Sequence, residues 1–388
     1  MMPMTDLVVA AAEEDIFGIG PAASSPSDSE TGTEEDDDRF DELADTGEIL
    51  DLGAKKREDF LKIRCLVFPR LPAKILLRFR SVSPEWNHWI SGPFLAYSHS
   101  LQPRSVSGLF FHLPDNSLRY SPFDPYHSIP NPNLSFLPEP VVIKSSTRGL
   151  LCCRGQESLD YYVVNPTTTT WTLLPQPAIE HGNGSVVAVV FDEPLVYNFN
   201  AEYHVVVASP IIDGAYCFES FSSATWAWKV GTEICPAEEV VGVSGVAACG
   251  WAYWRTTIGL VLGYHPAADT WRFLDGLPDG VEGETWWELG EMTGRASVTC
   301  TRESDVEVYV LEDEAGRCWR RVGDFKGVTE RPALRSQGKA EVLMWQDTRV
   351  VVRDLNGRKL RELGEGHVPE YCADFIPYVS TLVDVKRD

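Results

Sequence analysis

One segment of this sequence occurs twice, at residues 164–174 and again at residues 264–274. Both copies place a proline five residues before a tryptophan (Trp171 and Trp271) and a leucine three residues after it. We interpret each copy as a strand, a proline-containing turn and a second strand that opens with an inward-packing aromatic residue. A unit of this kind cannot bury its apolar surface alone, so the repeat predicts a fold in which similar units pack side by side.

Weaker copies of the same pattern extend the repeat over most of the chain. The six copies are anchored at residues 129, 171, 226, 271, 319 and 360, which lie 41 to 55 residues apart. Between these anchors, short β-type runs alternate with turn residues, and helical periodicity is largely absent. Units of about 40–55 residues with four short strands each are typical of propeller blades. The sequence therefore predicts a mainly β protein with a six-bladed β-propeller over residues 107–383, with five or seven blades as alternatives. We expect the run from Tyr378 to Val383 to close the ring on the first blade.

The tryptophans fall into two groups with different expected roles. Those at blade period are expected in the core, namely Trp171, Trp226, Trp271 and Trp319. Trp286 and Trp287 lie outside the repeat anchors, and adjacent residues of a strand face opposite ways. One of this pair could therefore be exposed on a loop face, where aromatic residues make good binding anchors. The pair is the sequence's one candidate for a substrate-binding surface.

The formal charge of the chain is −23, but it is unevenly distributed. Residues 1–54 contain 16 acidic side chains and a single basic one, Arg39, and they have little to bury. Such composition predicts a disordered acidic tail over residues 1–54. A strongly acidic protein has no general attraction for polyphosphate or anionic lipid, so nucleic acid and membrane are not expected as partners.

Residues 55–100 have the opposite character, with nine basic and three acidic side chains. Apolar residues recur there at helical spacing in three short stretches. The first ends at Pro69, the second begins near Pro72, and the third follows the capping residue Ser83 and stops at Gly92–Pro93. Three helices of this size bury too little surface to be stable alone. The segment is therefore either a partner-binding helical module or a helical cap on the domain that follows.

Residues 70–86 read Arg-Leu-Pro-Ala-Lys-Ile-Leu-Leu-Arg-Phe-Arg-Ser-Val-Ser-Pro-Glu-Trp. This stretch resembles the F-box of plant F-box proteins, whose core is R-L-P-x-K-x-L-L-R-F-R-x-V-S-x-x-W. The turn at residues 165–175 is similar to the N-P-x-T-x-x-W-x-x-L-P turns of the F-box-associated β-propeller, which is related to kelch. The resemblance covers about residues 59–383. It departs from the family at Asp59–Phe60, where the F-box usually opens with a Leu-Pro pair.

The resemblance implies the substrate-recognition subunit of a Skp–cullin–F-box ubiquitin ligase, in which the F-box docks on the Skp adaptor and the propeller holds a protein substrate. Its basic segment would suit an acidic adaptor. The residues expected to form or support the adaptor interface are Leu71, Pro72, Leu76, Leu77, Phe79, Val82 and Trp86. The altered start at Asp59–Phe60 leaves an alternative: a propeller scaffold or regulatory protein that does not engage the adaptor.

The sequence shows no motif for catalysis, so we expect a non-enzymatic protein without cofactor or metal. A phosphate-binding glycine loop, a zinc-protease motif and a nucleophile elbow are all missing from it, and its eight histidines are isolated. The nine cysteines form no C-x-x-C pair and lie mostly among apolar residues, as at Cys152–Cys153. They predict free thiols in a reducing compartment, so the cytoplasm, the nucleus or both are the expected location.

Overall fold

The computed structural model describes residues 62–385, with gaps at 116, 193–200, 213, 238–239, 275, 279–280, 282–285, 303–304, 314–317, 327–332, 335–337, 347–348 and 364–374. The predicted acidic tail and Asp59–Phe60 therefore lie outside the described residues. Two compact units are distinguished along the chain, Met1–Leu71 and Pro72–Asp388. Within the first unit, a π-helical turn spans Ile63–Val67 and a 3-10 turn spans Phe68–Arg70. The domain limits at 54, 100 and 107 remain predictions.

Three helices open the second unit: α1 (Ala73–Phe79), α2 (Pro84–Ile90) and α3 (Pro93–Ser100). Helix α2 begins where the sequence predicts, because the Ser83 hydroxyl accepts a hydrogen bond from the Trp86 amide at 3.2 Å and caps the first turn. Helix α3 was not predicted. Gly92–Pro93 ends α2, yet proline at the first position of a helix loses no hydrogen bond, so the same proline also starts α3.

The described residues contain 23 strands, which form six blades around a ring, as predicted. Strands pair antiparallel within each blade, and a parallel bridge between Ser244 and Val187 joins blades 3 and 4 into one sheet. Blade 1 contains β1 (Gly108–His112) and β2 (Leu118–Pro122); blade 2 contains β3 (Val141–Thr147), β4 (Leu150–Gly155), β5 (Tyr161–Asn165) and β6 (Thr170–Leu173); blade 3 contains β7 (Val186–Phe191), β8 (Tyr203–Ile212), β9 (Ala215–Ser222) and β10 (Ala227–Val230). Blade 4 contains β11 (Val240–Ala248), β12 (Trp251–Thr256), β13 (Val261–His265) and β14 (Thr270–Phe273); blade 5 contains β15 (Trp286–Met292), β16 (Arg295–Arg302), β17 (Asp305–Leu311) and β18 (Trp319–Lys326); blade 6 contains β19 (Ala333–Leu334), β20 (Glu341–Gln346), β21 (Arg349–Asp354) and β22 (Lys359–Leu363).

The ring closes through β23 (Phe375–Tyr378), which pairs antiparallel with β1 of blade 1. The predicted closing run, Tyr378–Val383, was therefore wrong in all but its first residue. The residues after Tyr378 leave the sheet and cross to blade 2, where the Asn165 amide donates to the Thr381 and Val383 carbonyls at 3.2 and 2.7 Å. Val383 is fully buried there, so this run is apolar because it packs under a neighbouring blade.

Blade 1 has no regular fourth strand among its described residues. The segment 123–140 occupies that place, and Ile129, Leu134 and Leu137 from it are buried against blade 2. Five prolines lie in this segment, and proline cannot donate to a strand ladder. The chain therefore buries its apolar side chains here without forming a strand.

One apolar cluster lies between each pair of neighbouring blades, so most strands are buried on both faces. Strand β4 shows the consequence, because successive residues enter different clusters. Cys153 packs in the cluster between blades 1 and 2, and Cys152 packs in the cluster between blades 2 and 3. Both are free thiols, as predicted, and burial raises the pKa of Cys152 to about 12. The described thiols of Cys249 and Cys318 are instead exposed.

The repeat tryptophans lie on the outermost strands or, for Trp226, directly before one, and the prediction that all four belong to the core was right only in part. Trp226, Trp271 and Trp319 pack against core clusters, whereas Trp171 does not. Trp171 is exposed, while Trp226, Trp271 and Trp319 are half-buried. The buried anchor of the repeat is its leucine: Leu174 and Leu274 are each only 3% exposed. Three of the tryptophans lie at the rim of the ring, where each indole packs against the apolar cluster shared with the preceding blade; they are Trp226, Trp271 and Trp319.

The ring has two distinct faces. Helices α1–α3 and the run 379–385 lie on one, which we call the helix face: the Arg104 carbonyl accepts from the Lys339 amide at 2.9 Å, and the Thr381 hydroxyl donates to the Arg148 carbonyl at 2.8 Å. Because strands alternate in direction, the turns after the first and third strands of blades 2–6 share this face. The turns after the second strands and the loops between blades form the opposite one, which we call the distal face.

Candidate functional site

The seven predicted adaptor residues occupy different environments. Leu76 is fully buried and belongs to the chain's own core, whereas Val82, in the turn between α1 and α2, is 61% exposed. The rings of Phe79 and Trp86 meet edge to face with centroids 5.3 Å apart, which braces α1 against α2. The other five are half-buried: Leu71, Pro72, Leu77, Phe79 and Trp86.

One side of α1 is committed to the propeller. The Lys74 ammonium donates to the Pro125 carbonyl at 2.8 Å and also contacts the Ser128 hydroxyl. Ala73 and Leu76 are buried, with at most 1% of either exposed. The helical segment thus caps the propeller, one of the two roles that its sequence allows. Because Val82 lies outside this contact, the cap leaves the loop between α1 and α2 accessible.

The turn at 63–67, taken by itself, presents aliphatic side chains outward. Ile63, Leu66 and Val67 are 41%, 48% and 44% exposed, while Phe68 next to them is buried. Leu66 and Phe68 both belong to the first helical stretch that the sequence predicts. They have different environments because residues two positions apart do not share a helix face, and Phe68 already lies in the 3-10 turn.

Trp287 is the member of the tryptophan pair whose side chain the structure describes, and it is not a surface residue. Trp287 is 3% exposed and packs between blades 4 and 5. The Arg255 guanidinium lies 4.3 Å from its ring centroid and donates to its carbonyl at 2.6 Å. Trp287 is therefore a core residue, which corrects its suggested place on a binding surface. The side chain of Trp286 lies outside the described residues, so its binding role stays a prediction.

A buried polar network fixes the loop between blades 2 and 3. His181 lies between the Tyr161 hydroxyl, at 3.0 Å, and the Glu219 carboxylate, at 2.9 Å. Glu219 also accepts from the backbone amides of Ala178 and Ile179 at 2.7 and 3.3 Å. The His181 and Glu219 side chains are at most 1% exposed, so no substrate can reach them. The network is structural and holds the loop 174–185 at the distal face.

Four exposed aliphatic side chains lie at turns and strand ends of blades 3 and 4 on the distal face, and the sequence did not indicate them. They are Ile211, Ile234, Val241 and Ile258, which are 48%, 62%, 41% and 58% exposed. Each belongs to a turn or strand end of a different segment, so no local periodicity connects them. The one available signal was isoleucine beside turn residues, in Pro210-Ile-Ile-Asp-Gly214 and in Thr256-Thr-Ile-Gly259.

The described part of the chain contains neither a metal-binding cluster nor a membrane-spanning helix. No group of three or more His, Cys, Asp or Glu side chains there is arranged to hold a metal ion. No helix among these residues is long and apolar enough to cross a membrane.

Comparisons with known proteins point to one kind of relative. Three F-box proteins of Arabidopsis thaliana match this chain, at 35% identity over 136 residues, 24% over 270 and 23% over 176. The matches cover 31%, 66% and 44% of this chain, and 32%, 72% and 42% of the relatives. The chain thus spans about a third of the length of the first relative. No family model matches the chain.

Among solved structures, a fucose-bound lectin of Aleuria aurantia aligns with a TM-score of 0.39 and 13% identity, over 68% of this chain and 92% of the lectin. A likeness at that level supports no inference about ligands. The six-bladed architecture follows from the strand pairing of this chain itself.

Proposed function

We propose that this chain is a substrate-recognition subunit of a Skp–cullin–F-box ubiquitin ligase, acting in the cytoplasm or nucleus. The observation that carries the proposal is its similarity to F-box proteins, including 35% identity over 136 residues with one of them. A helical segment followed by a propeller fits that role, because the propeller offers a rigid ring of loops for binding. The chain would be a non-catalytic receptor whose partners are the Skp adaptor, through it a cullin, and a protein substrate.

The geometry separates the two binding tasks. Helices α1–α3 lie on the helix face, so an adaptor bound to Val82 and its neighbours leaves the distal face accessible to a substrate. The exposed basic side chains Arg78 and Arg80 on and beside α1 would favour an acidic adaptor surface. A receptor needs this arrangement, because adaptor and substrate must be held at the same time.

The test is capture of recombinant Skp adaptor by the full chain and its variants. We expect Val82→Asp to weaken capture at least about tenfold, because a charge replaces an exposed apolar anchor without disturbing the core. Replacing Leu71 and Pro72 with alanine should also abolish capture. Leu173→Asp is the matched control, since Leu173 is 46% exposed on the outer strand β6 of blade 2. Unchanged capture by both helical variants would sink the proposal.

A second candidate is a propeller scaffold or regulatory protein that does not engage the adaptor. The hydrogen bond of Lys74 to the propeller and the full burial of Leu76 favour it, because these groups already serve the fold. The two candidates predict different results for the unaltered chain. The scaffold fails to capture adaptor and cullin under conditions in which an authentic F-box protein captures both.

A further inference from the structure

The outer strand of blade 2, β6, presents two apolar side chains on one side of its sheet. Trp171 and Leu173 are 36% and 46% exposed, and residues two positions apart in a strand face the same way. Both lie beside Tyr162 of the neighbouring strand. Leu173 is paired with Tyr162 across the sheet, and the centroids of the Trp171 and Tyr162 rings are 5.9 Å apart. Trp171 and Leu173 therefore form one apolar strip that flanks Tyr162.

The backbone groups of the same two residues point to the free edge of the sheet. The Leu174 amide donates to the Tyr161 carbonyl at 2.9 Å, so the backbone of Leu174 bonds towards β5. Alternate residues of an antiparallel strand direct their N–H and C=O groups to the same edge, so those of Trp171 and Leu173 are directed to the opposite, outer edge. No described strand pairs with that edge. We call it, together with the Trp171 and Leu173 side chains, the β6 edge.

Charge distinguishes the β6 edge from the outer edges of the other blades. Residues 161–179 contain no Asp, Glu, Lys or Arg, although 23% of the residues in the whole chain are charged. The outermost described strand of each other blade contains at least one basic residue, and examples are Arg119, Lys229, Arg272, Arg320 and Lys359. Charged side chains on an edge strand oppose pairing with a further strand. Among the described outer strands, β6 is the one without this protection.

Packing within the ring leaves the β6 edge uncovered. In blades 3 and 5, the tryptophan of the outer strand bonds to the preceding blade. The Trp228 indole donates to the Pro175 carbonyl at 2.6 Å, and the Trp319 indole donates to the Gly276 carbonyl at 3.1 Å. The blade before β6 is blade 1, whose segment 123–140 forms no fourth strand. No described group accepts a hydrogen bond from the Trp171 indole, so this donor is also available to a partner.

We infer that the β6 edge binds an extended, uncharged segment of a partner protein, which adds a fifth strand to blade 2. Antiparallel addition pairs two partner residues, two positions apart, with Trp171 and Leu173, and each pair exchanges both backbone hydrogen bonds. The side chains of these two partner residues lie on the same face as Trp171 and Leu173, where β-branched and aromatic side chains pack well. The edge thus selects an apolar–polar–apolar strand without charge. This inference goes beyond the proposed function, since the edge is the same whether or not the chain engages an adaptor.

A second copy of this chain is a poorer occupant than a separate segment. Two copies joined at β6 would bring together two bodies whose residues 101–388 each carry a net −14. Their contact would cover little more than two tryptophans and two leucines, whereas a specific interface between folded proteins buries roughly 1,000 Å² or more. A short extended segment meets neither obstacle, because its affinity comes mainly from main-chain hydrogen bonds.

The test uses a fluorescent peptide, acetyl-Ser-Thr-Ile-Thr-Val-Thr-Ser-amide, and two N-methylated forms of it. Fluorescence anisotropy with the full chain should show that the unmodified peptide binds. N-methylation of Ile and Val removes the donors that face the β6 edge and should abolish binding. N-methylation of the two Thr residues beside Val removes donors that face away, and should leave the affinity within about threefold. Absence of binding by the unmodified peptide, or an equal effect of the two methylation patterns, would overturn the inference.

Variants assign that binding to the β6 edge. Leu173→Lys gives this edge the kind of charge that the other outer strands carry, and should lower the peptide affinity at least about tenfold. Val230→Lys is the matched control, because Val230 is 41% exposed and follows Trp228 on β10 as Leu173 follows Trp171 on β6. It should change the affinity less than about twofold, as expected for a residue outside the contact. Trp171→Thr keeps a β-branched residue in the strand but removes the ring, and should also weaken binding. Equal losses in Leu173→Lys and Val230→Lys would place the binding elsewhere and contradict the proposal.

Two further measurements separate this inference from its rivals. Light scattering should give a monomer for the unaltered chain and for Leu173→Lys; a dimer that Leu173→Lys dissociates would show that a second copy occupies the edge, and would overturn the proposal. Val82→Asp should leave peptide binding unchanged, and Leu173→Lys should leave adaptor capture unchanged. Failure of adaptor capture with intact peptide binding would contradict the proposed function and leave this inference standing.

Discussion

At the scale of single residues, Glu139 shows how a polar side chain orders a turn on the distal face. Its carboxylate accepts from the Glu157 and Ser158 amides at 2.8 and 3.1 Å, and from the Tyr162 hydroxyl at 2.8 Å. Partial burial alone would raise its pKa. The hydrogen bonds from Ser158, Glu157 and Tyr162 outweigh that effect and lower the pKa of Glu139 to about 2. The charged form of Glu139 is therefore the one that the fold stabilises.

This lowered pKa predicts a pH-dependent contribution to stability. In the unfolded chain the carboxyl titrates near its ordinary value of 4.5, above its value of about 2 in the folded chain. Its contribution is thus complete at neutral pH and declines as the pH falls from about 4.5 towards 2. We expect Glu139→Gln to destabilise the chain at pH 7 and to do so much less at pH 3, measured by urea unfolding. Glu157→Gln, which changes an exposed side chain nearby, is the control. A deficit of equal size at both pH values would contradict this account.

At the scale of elements, the turn between the third and fourth strands recurs with the same backbone in three blades. A residue with positive φ precedes the fourth strand in each: Thr169, Trp226 and Asp269, at 57°, 57° and 52°. Strand pairing then aligns Trp171, Trp228 and Trp271, whose partners are Val164, Phe221 and Tyr264. The equivalent tryptophan of blade 3 is therefore Trp228, and the repeat anchor at Trp226 was two residues early.

In two blades, a tryptophan on the fourth strand ties its blade to the preceding one through a hydrogen bond. The Trp228 indole donates to the Pro175 carbonyl of the preceding blade's loop at 2.6 Å, and the Trp319 indole donates to the Gly276 carbonyl at 3.1 Å. Trp228→Phe keeps an aromatic ring but removes the donor, so we expect a loss of about 1 kcal/mol in the free energy of unfolding. Trp171→Phe, at the exposed equivalent, should cost less. Chemical denaturation of both variants measures the difference, and equal losses would show that the indole bond adds nothing.

The sequence predicted the ring but not all of its elements, and the reasons are physical. Alternating strands and proline turns depend on local chemistry, so the six blades could be inferred from the repeat. The anchor in blade 3 could not be placed from the sequence, because Trp226 and Trp228 are two residues apart. Only the structure shows that Trp226 has the positive φ of the turn and that Trp228 follows it in the strand. The irregular fourth segment of blade 1 and the crossing of 379–385 under blade 2 depend on contacts between residues distant in sequence.

The candidate sites also contain features that local sequence predicts and features that depend on contacts between distant residues. The start of α2 was predictable because capping residues and apolar spacing are local, although the contact of Lys74 with Pro125 was not, since these residues are 51 positions apart in sequence. The shared face of the four exposed aliphatic residues between 211 and 258 was invisible in the sequence. They lie in separate turns and strand ends, which only the folded ring places on the distal face.

At the scale of the whole molecule, charge is divided between regions with different tasks. Residues 1–54 carry a net −15, residues 55–100 a net +6, and residues 101–388 a net −14. Under the proposed function, the one basic region is the one that meets the adaptor, and the acidic remainder repels other acidic surfaces. The overall −23 thus conceals a basic segment at residues 55–100 within an acidic protein.

This division predicts that adaptor binding weakens with salt. The charges of Arg78 and Arg80 are exposed, so their attraction to an acidic adaptor falls as the screening length shrinks to about 8 Å at physiological ionic strength. We expect the association rate of the full chain with Skp adaptor to fall as salt is raised, while the dissociation rate changes little, because steering by exposed charges acts on the encounter.

Arg78→Glu should lower the low-salt association rate and flatten its salt dependence, whereas Lys359→Glu, on blade 6, should change neither. Surface plasmon resonance at several salt concentrations separates the two rates. If the salt dependence of Arg78→Glu matches that of the unaltered chain, the basic charge of α1 does not steer the adaptor, and apolar contacts at Val82 and its neighbours carry the interaction alone.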